Sequence, residues 1–184
     1  RLFRPLLETA FEVLRSQEFP FALLMPINAG IYLPYEFSFC YYRHKYDMPL
    51  AKLKVAEEGS ALRVERTSLN KDVLAPLYQE CTKTWNGVPV RTDFQWYKLL
   101  KVHAMENVQC AVVYKEENAV GYMLYKVQDS AFNVLELMAQ DLAERNRLLQ
   151  FAASHKSEAK TFTWLAEAWD KSYLNFADHN VSGS

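Results

Sequence analysis

The sequence predicts an α/β chain built on a mixed sheet. Three observations carry this: an amphipathic helical pattern at the start, three consecutive strand-like segments separated by short polar turns, and a capped helical pattern that follows them and leads into one last strand.

Leu2, Phe3, Leu6, Leu7, Ala10, Phe11 and Leu14 recur at spacings of three and four, which predicts a helix from Leu2 to about Gln17. Proline is tolerated only in a first helical turn, so Pro5 sets the helix start near Arg4. The run FALLMPI, Phe21 to Ile27, predicts a buried strand; NAGIYLPYEF predicts a turn and a short helix; SFCYYRHKY alternates like another strand. Between Asp47 and Ser60 the chain turns polar, with Pro49 and Gly59 as breaks. A boundary is expected there, dividing the chain into residues 1–55, 56–178 and a tail, 179–184.

The second unit opens with a strand from Ala61 to Thr67. Asn70 or Asp72 caps a helix to about Lys83, and Thr92 or Asp93 caps another through Ala104. Strands from Val108, Ala119 and Ala131 follow, with EEN and QDS as the turns of an antiparallel meander. A helix from Leu142 to about Ser154 and a strand from Lys160 complete the order β-α-α-β-β-β-α-β.

Of 184 residues, 50% are apolar and 23% charged, with a net charge of -1. This balance argues against disorder and against a strongly basic nucleic-acid surface. No apolar run approaches the roughly 18 to 20 residues that span a bilayer, so a soluble protein without a membrane partner is expected. Cys40, Cys81 and Cys110 are an odd, scattered set without C-x-x-C spacing, which fits reduced thiols in a cytoplasmic protein. The glycines, at 30, 59, 87, 121 and 183, form no G-x-G, which excludes Walker and Rossmann loops. His44, His103, His155 and His179 share no ligand spacing, so no metal is expected. Position 1 is Arg inside a helical pattern, so a fragment of a longer chain is expected.

The strand and helix order resembles the GNAT acetyltransferase fold, and N-A-G-I-Y-L-P-Y-E-F, Asn28 to Phe37, is similar to a late GNAT motif of Asn, then Tyr, then Gly-Phe or Gly-Tyr. With R-L-F-R-P-L-L at the start, T-W-N-G-V-P-V-R and Trp96, the chain resembles the Eis-like branch, which contains aminoglycoside and amine acetyltransferases. There a catalytic GNAT domain precedes a degenerate one and a sterol-carrier-like domain. The resemblance implies that residues 1–55 are the C-terminal half of a catalytic domain and that 56–178 are the degenerate one. It also implies acetyl-CoA as co-substrate, a small-molecule amine acceptor, a homo-oligomer, a sterol-carrier-like domain outside this sequence, and a base supplied by that domain's terminal carboxylate.

By the same resemblance Tyr32 is the general acid. Thiols and phenols titrate near 8.5 and 10, so a phenol beside a departing thiolate is a competent proton donor. From the residues alone, Tyr32 is equally one packed tyrosine among eleven. Asn28 is implied to hold the pantetheine arm, against an ordinary Asx turn. Arg1, Leu2, Phe3 and Arg4 fall where the family's phosphate loop meets its helix, whose N-terminus attracts anions. The other reading of the two arginines is solvated first-turn charge.

Two departures stand out. Glu36 and Arg1 occupy positions where the family has Gly. They support an alternative, a GNAT-like scaffold or interaction module without catalysis; a third class is a small-molecule sensor using the aromatic stretch Tyr32 to Tyr42. In the second unit, Asp141 and Glu144 form a D-x-x-E capping box where a working domain has its phosphate loop, so that unit reads as structural. Trp85, Arg91 and Trp96 match landmarks of the central Eis-like domain, which would wall the substrate pocket and join subunits; core packing with one loop arginine is the other account.

Overall fold

The computed structural model describes residues 2–55 and 61–176. The chain forms two compact units, Arg1–Cys40 and Tyr41–Ser184. The division thus falls at residue 40 and not at 55. The cause is β1, Arg43–Pro49, which pairs antiparallel over its whole length with the last strand, from Arg43 opposite Glu167 to Pro49 opposite Thr161. Seven ladder positions tie this segment to the second unit's sheet.

In the first unit, α1 spans Phe3–Ser16, with Pro5 inside its first turn as the sterics require. Two 3-10 turns, Ala29–Ile31 and Leu33–Tyr35, form the expected turn-and-helix piece. The strand expected over Phe21–Ile27 is not formed. A strand exists only where a neighbour takes its N–H and C=O groups, and among the described residues none pairs with this run. Met25 and Ile27 are 96% and 108% exposed, and no described residue of the unit is buried.

The second unit is a six-stranded sheet in the order β1-β6-β5-β4-β3-β2. Strands β2 (Leu62–Thr67), β3 (Gln109–Lys115), β4 (Asn118–Gln128) and β5 (Ala131–Ala139) make the antiparallel meander, and β6 (Thr161–Glu167) runs parallel to β5. Asp129 and Ser130 both take positive φ, 53° and 60°, as a two-residue hairpin turn between β4 and β5 demands. Central β4 is buried from Gly121 to Tyr125 because helices cover both faces. Helices α2 (Lys71–Thr82) and α3 (Asp93–Met105) bring Leu74, Tyr78 and Trp96 against Tyr122 and Leu124. Helix α4 (Leu142–Ala153) brings Leu148, Leu149 and Ala152 to the opposite face, against Met123 and Tyr125.

The caps resolve the sequence alternatives. Asn70, not Asp72, caps α2 by accepting from the Asp72 N–H at 2.9 Å. Thr92, not Asp93, caps α3 in a reciprocal box with Gln95. Pairing of β5 with β6 covers only Ala131–Val134 against Thr161–Trp164, although both strands continue. On β5, Leu135 is skipped between the Leu124–Glu136 and Tyr125–Val134 pairs, so a bulge sits where the parallel ladder ends. Beyond it the two strands part.

Gly121 shows how tightly the meander is spaced. A Cβ there would lie 2.6 Å from the Met138 carbonyl oxygen and 3.1 Å from Val113 Cγ1. Gly121→Ala is expected to lower stability by about 1–3 kcal/mol, the usual range for overpacking. Urea unfolding will show this as a lower midpoint at unchanged slope; an unchanged midpoint would contradict the strand spacing.

Candidate active site

In the first unit the residues singled out from the sequence converge in part. Phe3, the first residue of α1, meets Tyr32 edge-on with ring centroids 5.4 Å apart, and Tyr32 in turn meets Phe37 at 5.7 Å. Tyr35 also reaches Phe3, at 5.5 Å, so two phenols stand beside the start of this helix. No side chain caps that end, and the first turn carries no acid. The donors of a first helical turn are the groups a phosphate needs, so this end fits an anion. Leu2 is the N-cap residue and 85% exposed. Arg4 gives its Nε to Glu8 Oε1 at 2.9 Å, an exposed pair one turn apart. Arg1 lies outside the described residues.

Asn28 accepts from the Gly30 N–H at 2.9 Å, closing an Asx turn that starts the first 3-10 segment. Glu36 adopts φ 67° and ψ 14°, the left-handed conformation for which glycine is favoured. The turn after the second 3-10 segment is therefore made with a strained residue.

In the second unit, the start of α4 is closed by side chains. Asp141 accepts from the Glu144 N–H at 2.8 Å, while Glu144 Oε2 accepts from the N–H groups of Gln140 and Asp141 at 2.8 and 3.3 Å. Glu144 is 5% exposed, and burial pushes its carboxyl above the usual range. These three N–H groups already have acceptors, so a pyrophosphate does not fit this end. Arg145 follows, and its Nη1 donates to Asp170. Asp170, 1% exposed, also accepts from the Tyr46 hydroxyl at 2.6 Å and from Ser172 N and Oγ at 2.9 and 3.0 Å. His44 Nδ1 meets the Asp170 carbonyl oxygen at 3.1 Å.

Sequence reasoning did not find that network, nor a second one around Arg91. The Arg91 guanidinium forks onto Glu136, lies 3.9 Å over the Tyr78 ring and 4.8 Å from the Trp96 ring centroid, and the Tyr122 hydroxyl shares Glu136. Trp96 is 2% exposed, so it packs in the core. Trp85 instead meets Trp169 edge-on at 5.0 Å. Arg66 can only donate, so at 2.6 Å His155 Nε2 is the acceptor, and Nδ1–H donates to the Phe151 carbonyl at 2.8 Å. Burial raises the Cys81 thiol to about 12, which removes it as a nucleophile. Among the described residues no group of His, Cys, Asp and Glu could hold a metal, and no helix is long and apolar enough to cross a membrane.

A mixed sheet whose one parallel pair parts midway, with α4 starting at the gap, is an α/β frame of the GNAT type. The chain belongs to the GNAT acetyltransferases: the model of the Acetyltransferase (GNAT) domain matches residues 87–183, more than half of it. That family implies an acyl-CoA co-substrate. The fold is similar to a probable N-acyltransferase, a conserved protein of unknown function from Enterococcus faecalis V583, at 20% identity and TM-score 0.75, over 87% of this chain and 41% of that one. It is similar to a GCN5-related N-acetyltransferase from Anabaena variabilis ATCC 29413 at 16% identity and TM-score 0.74, over 95% and 46%. Eis1 from Mycobacterium abscessus matches at 17% identity and TM-score 0.66, over 85% and 42%. The chain spans less than half the length of each. No curated protein matches it.

Two substitutions test the two helix surroundings. Asp141→Ala removes a cap and is expected to cost about 0.5–2 kcal/mol, lowering the thermal midpoint while acetyl-CoA affinity stays unchanged; altered affinity at an unchanged midpoint would reopen α4 as a cofactor site. Glu36→Gly relieves left-handed strain of about 1 kcal/mol. Hydrogen exchange at residues 32–37 should slow about fivefold, and faster exchange would show that Glu36 holds the turn through its side chain.

Proposed function

We propose that this chain is part of an acetyl-CoA-dependent N-acetyltransferase of the Eis-like branch. Residues 2–40 form the second half of the catalytic domain, and the unit from Tyr41 onward is a degenerate GNAT-like domain that supports it. The observation that carries the reading is the Phe3–Tyr32 contact at 5.4 Å, which sets a phenol beside a helix start that no side chain caps. The exposed run Phe21–Ile27 supports it as well, because an apolar strand sequence without a neighbour is what half of a sheet domain presents. The rest of that sheet is supplied by chain outside these 184 residues.

Acetyl-CoA supplies an acetyl thioester. The first-turn N–H groups of α1, with Arg4, hold its phosphates, and Asn28 steadies the pantetheine arm. As the amine nitrogen bonds to the acetyl carbon and the carbon–sulfur bond breaks, Tyr32 gives its hydroxyl proton to the departing sulfur; the amine proton leaves to a base outside this chain. The acceptor is a small primary amine, aminoglycoside-like or simpler, and the assembly is a cytoplasmic homo-oligomer completed by a sterol-carrier-like domain. A scaffold without catalysis is the second reading. It is favoured by the Asn28–Gly30 bond and the Arg4–Glu8 pair, which give both side chains local partners.

The deciding measurement is steady-state kinetics of the natural protein with Tyr32→Phe and, as control, Tyr35→Phe. Tyr32→Phe should lower kcat by about 10²–10⁴-fold with little change in the acetyl-CoA KM, and Tyr35→Phe should leave kcat within a few fold. Wild-type kcat in Tyr32→Phe would make Tyr32 a packing residue and favour the scaffold.

A further inference from the structure

We propose that a cavity in the second unit, at the C-terminal ends of β5 and β6, binds a small organic carboxylate. The cavity, partly open to solvent, offers about 290 Å³ and is lined by the end of α2 and the residues after it, the end of β5, Trp169 after β6, and Arg145 of α4. Open sheets collect ligands outside the carboxyl ends of parallel strands, where neighbouring strands part. Here β5 and β6 part beyond Val134 and Trp164, and Gln140 and Trp169 stand just past their ends.

The chemistry of the lining sets the ligand. Arg145 Nη1 is held by Asp170, but its Nε is buried with no acceptor among the described residues. A buried donor without a partner points to a bound water or ligand oxygen, and guanidinium geometry favours a carboxylate. Asp170 meets Arg145 at Nη1 alone and also accepts from Tyr46 and Ser172, so it does not supply the missing acceptor for Nε. Lys83 pairs with Glu80 at the surface, where the two side chains are 59% and 45% exposed and the pair is weak, leaving the ammonium able to turn to an anion. Gln140 adds an amide donor to the lining. Trp85 and Trp169 meet at 5.0 Å and 74°, giving a corner of two flat walls for an apolar body.

The volume corresponds to about ten atoms of ligand at a liquid-like ~30 Å³ each. An amine is disfavoured by Arg145 and Lys83. A polyphosphate is disfavoured because Glu80 also lines the cavity, paired with Lys83, and Asp141 and Glu144 precede Arg145 at the start of α4, so there is room for one negative group and not for several. A single carboxylate on a ring or short alkyl group satisfies both limits.

Benzoate and benzylamine have nearly the same shape and opposite charge, so they test the assignment in this 184-residue chain, with inorganic phosphate as a third probe. Trp96 and Trp164 are 2% exposed, so a ligand-dependent change in tryptophan emission reports Trp85 and Trp169. Benzoate should quench saturably with Kd below about 1 mM, and benzylamine and phosphate should bind at least tenfold more weakly. Arg145→Lys should raise the benzoate Kd about tenfold, and Lys83→Gln, a surface change that spares the Asp170 network, about threefold. Benzoate quenching without saturation would leave only water in the cavity and overturn the proposal. Benzylamine binding as tightly as benzoate, or an unchanged benzoate Kd in folded Lys83→Gln and Arg145→Lys, would overturn it equally; should Arg145→Lys not fold, Lys83→Gln decides.

Discussion

The second unit is organised by one parallel strand pair, β5 with β6, that stays in register for four residue pairs and then separates. Parallel neighbours cannot be joined by a tight turn, so a crossover is obligatory, and α4 provides it. Leu148, Leu149 and Ala152, all fully buried, press that crossover onto the sheet and fix where its first turn lies. The Leu135 bulge adds local twist where the ladder ends. The start of α4, Asp170 and the Trp85–Trp169 corner all gather around the resulting gap.

The two helix starts at issue differ in how their N–H donors are met. At α4 the chain's own carboxylates accept from them and Arg145 turns to Asp170, so the end of the helix is finished from within. At α1 no side chain does this, and phenols stand nearby. One helix start is thus finished by the chain's own side chains, and the other has no side-chain cap. The buried Asp170 carboxylate also holds β1 and the stretch after β6 to α4, through Tyr46, Ser172 and Arg145.

Most of the second unit was legible in the sequence because its signals are local. The pattern of Leu142 to Ser154 and the D-x-x-E spacing gave α4 and its cap, and alternating apolar segments with EEN and QDS gave the meander. Where two caps competed, Asn70 and Thr92 prevailed because their side chains, standing one residue before the helix, reach forward to accept from amides of the first turn. The run Phe21–Ile27 misled because apolarity reports a wish for burial and not the presence of a neighbour. β1 was placed in the wrong unit for a related reason: its partner is more than a hundred residues away. The Arg91–Glu136 and Arg145–Asp170 pairs, 45 and 25 residues apart, leave no periodic trace at all. In the first unit, the left-handed φ of Glu36 has no local signal in the sequence, since glutamate is not a residue that favours it.

The exposed stretch near the end of α1 also bears on how this polypeptide behaves before it finds its neighbours. Pro20 and Pro26 bracket FALLM, and neither can donate a hydrogen bond to a growing β-ladder. The run between them is five residues, short of the six or seven that stack into a steric zipper. The two prolines therefore act as gatekeepers: the segment stays apolar and exposed, yet too short to template a fibril.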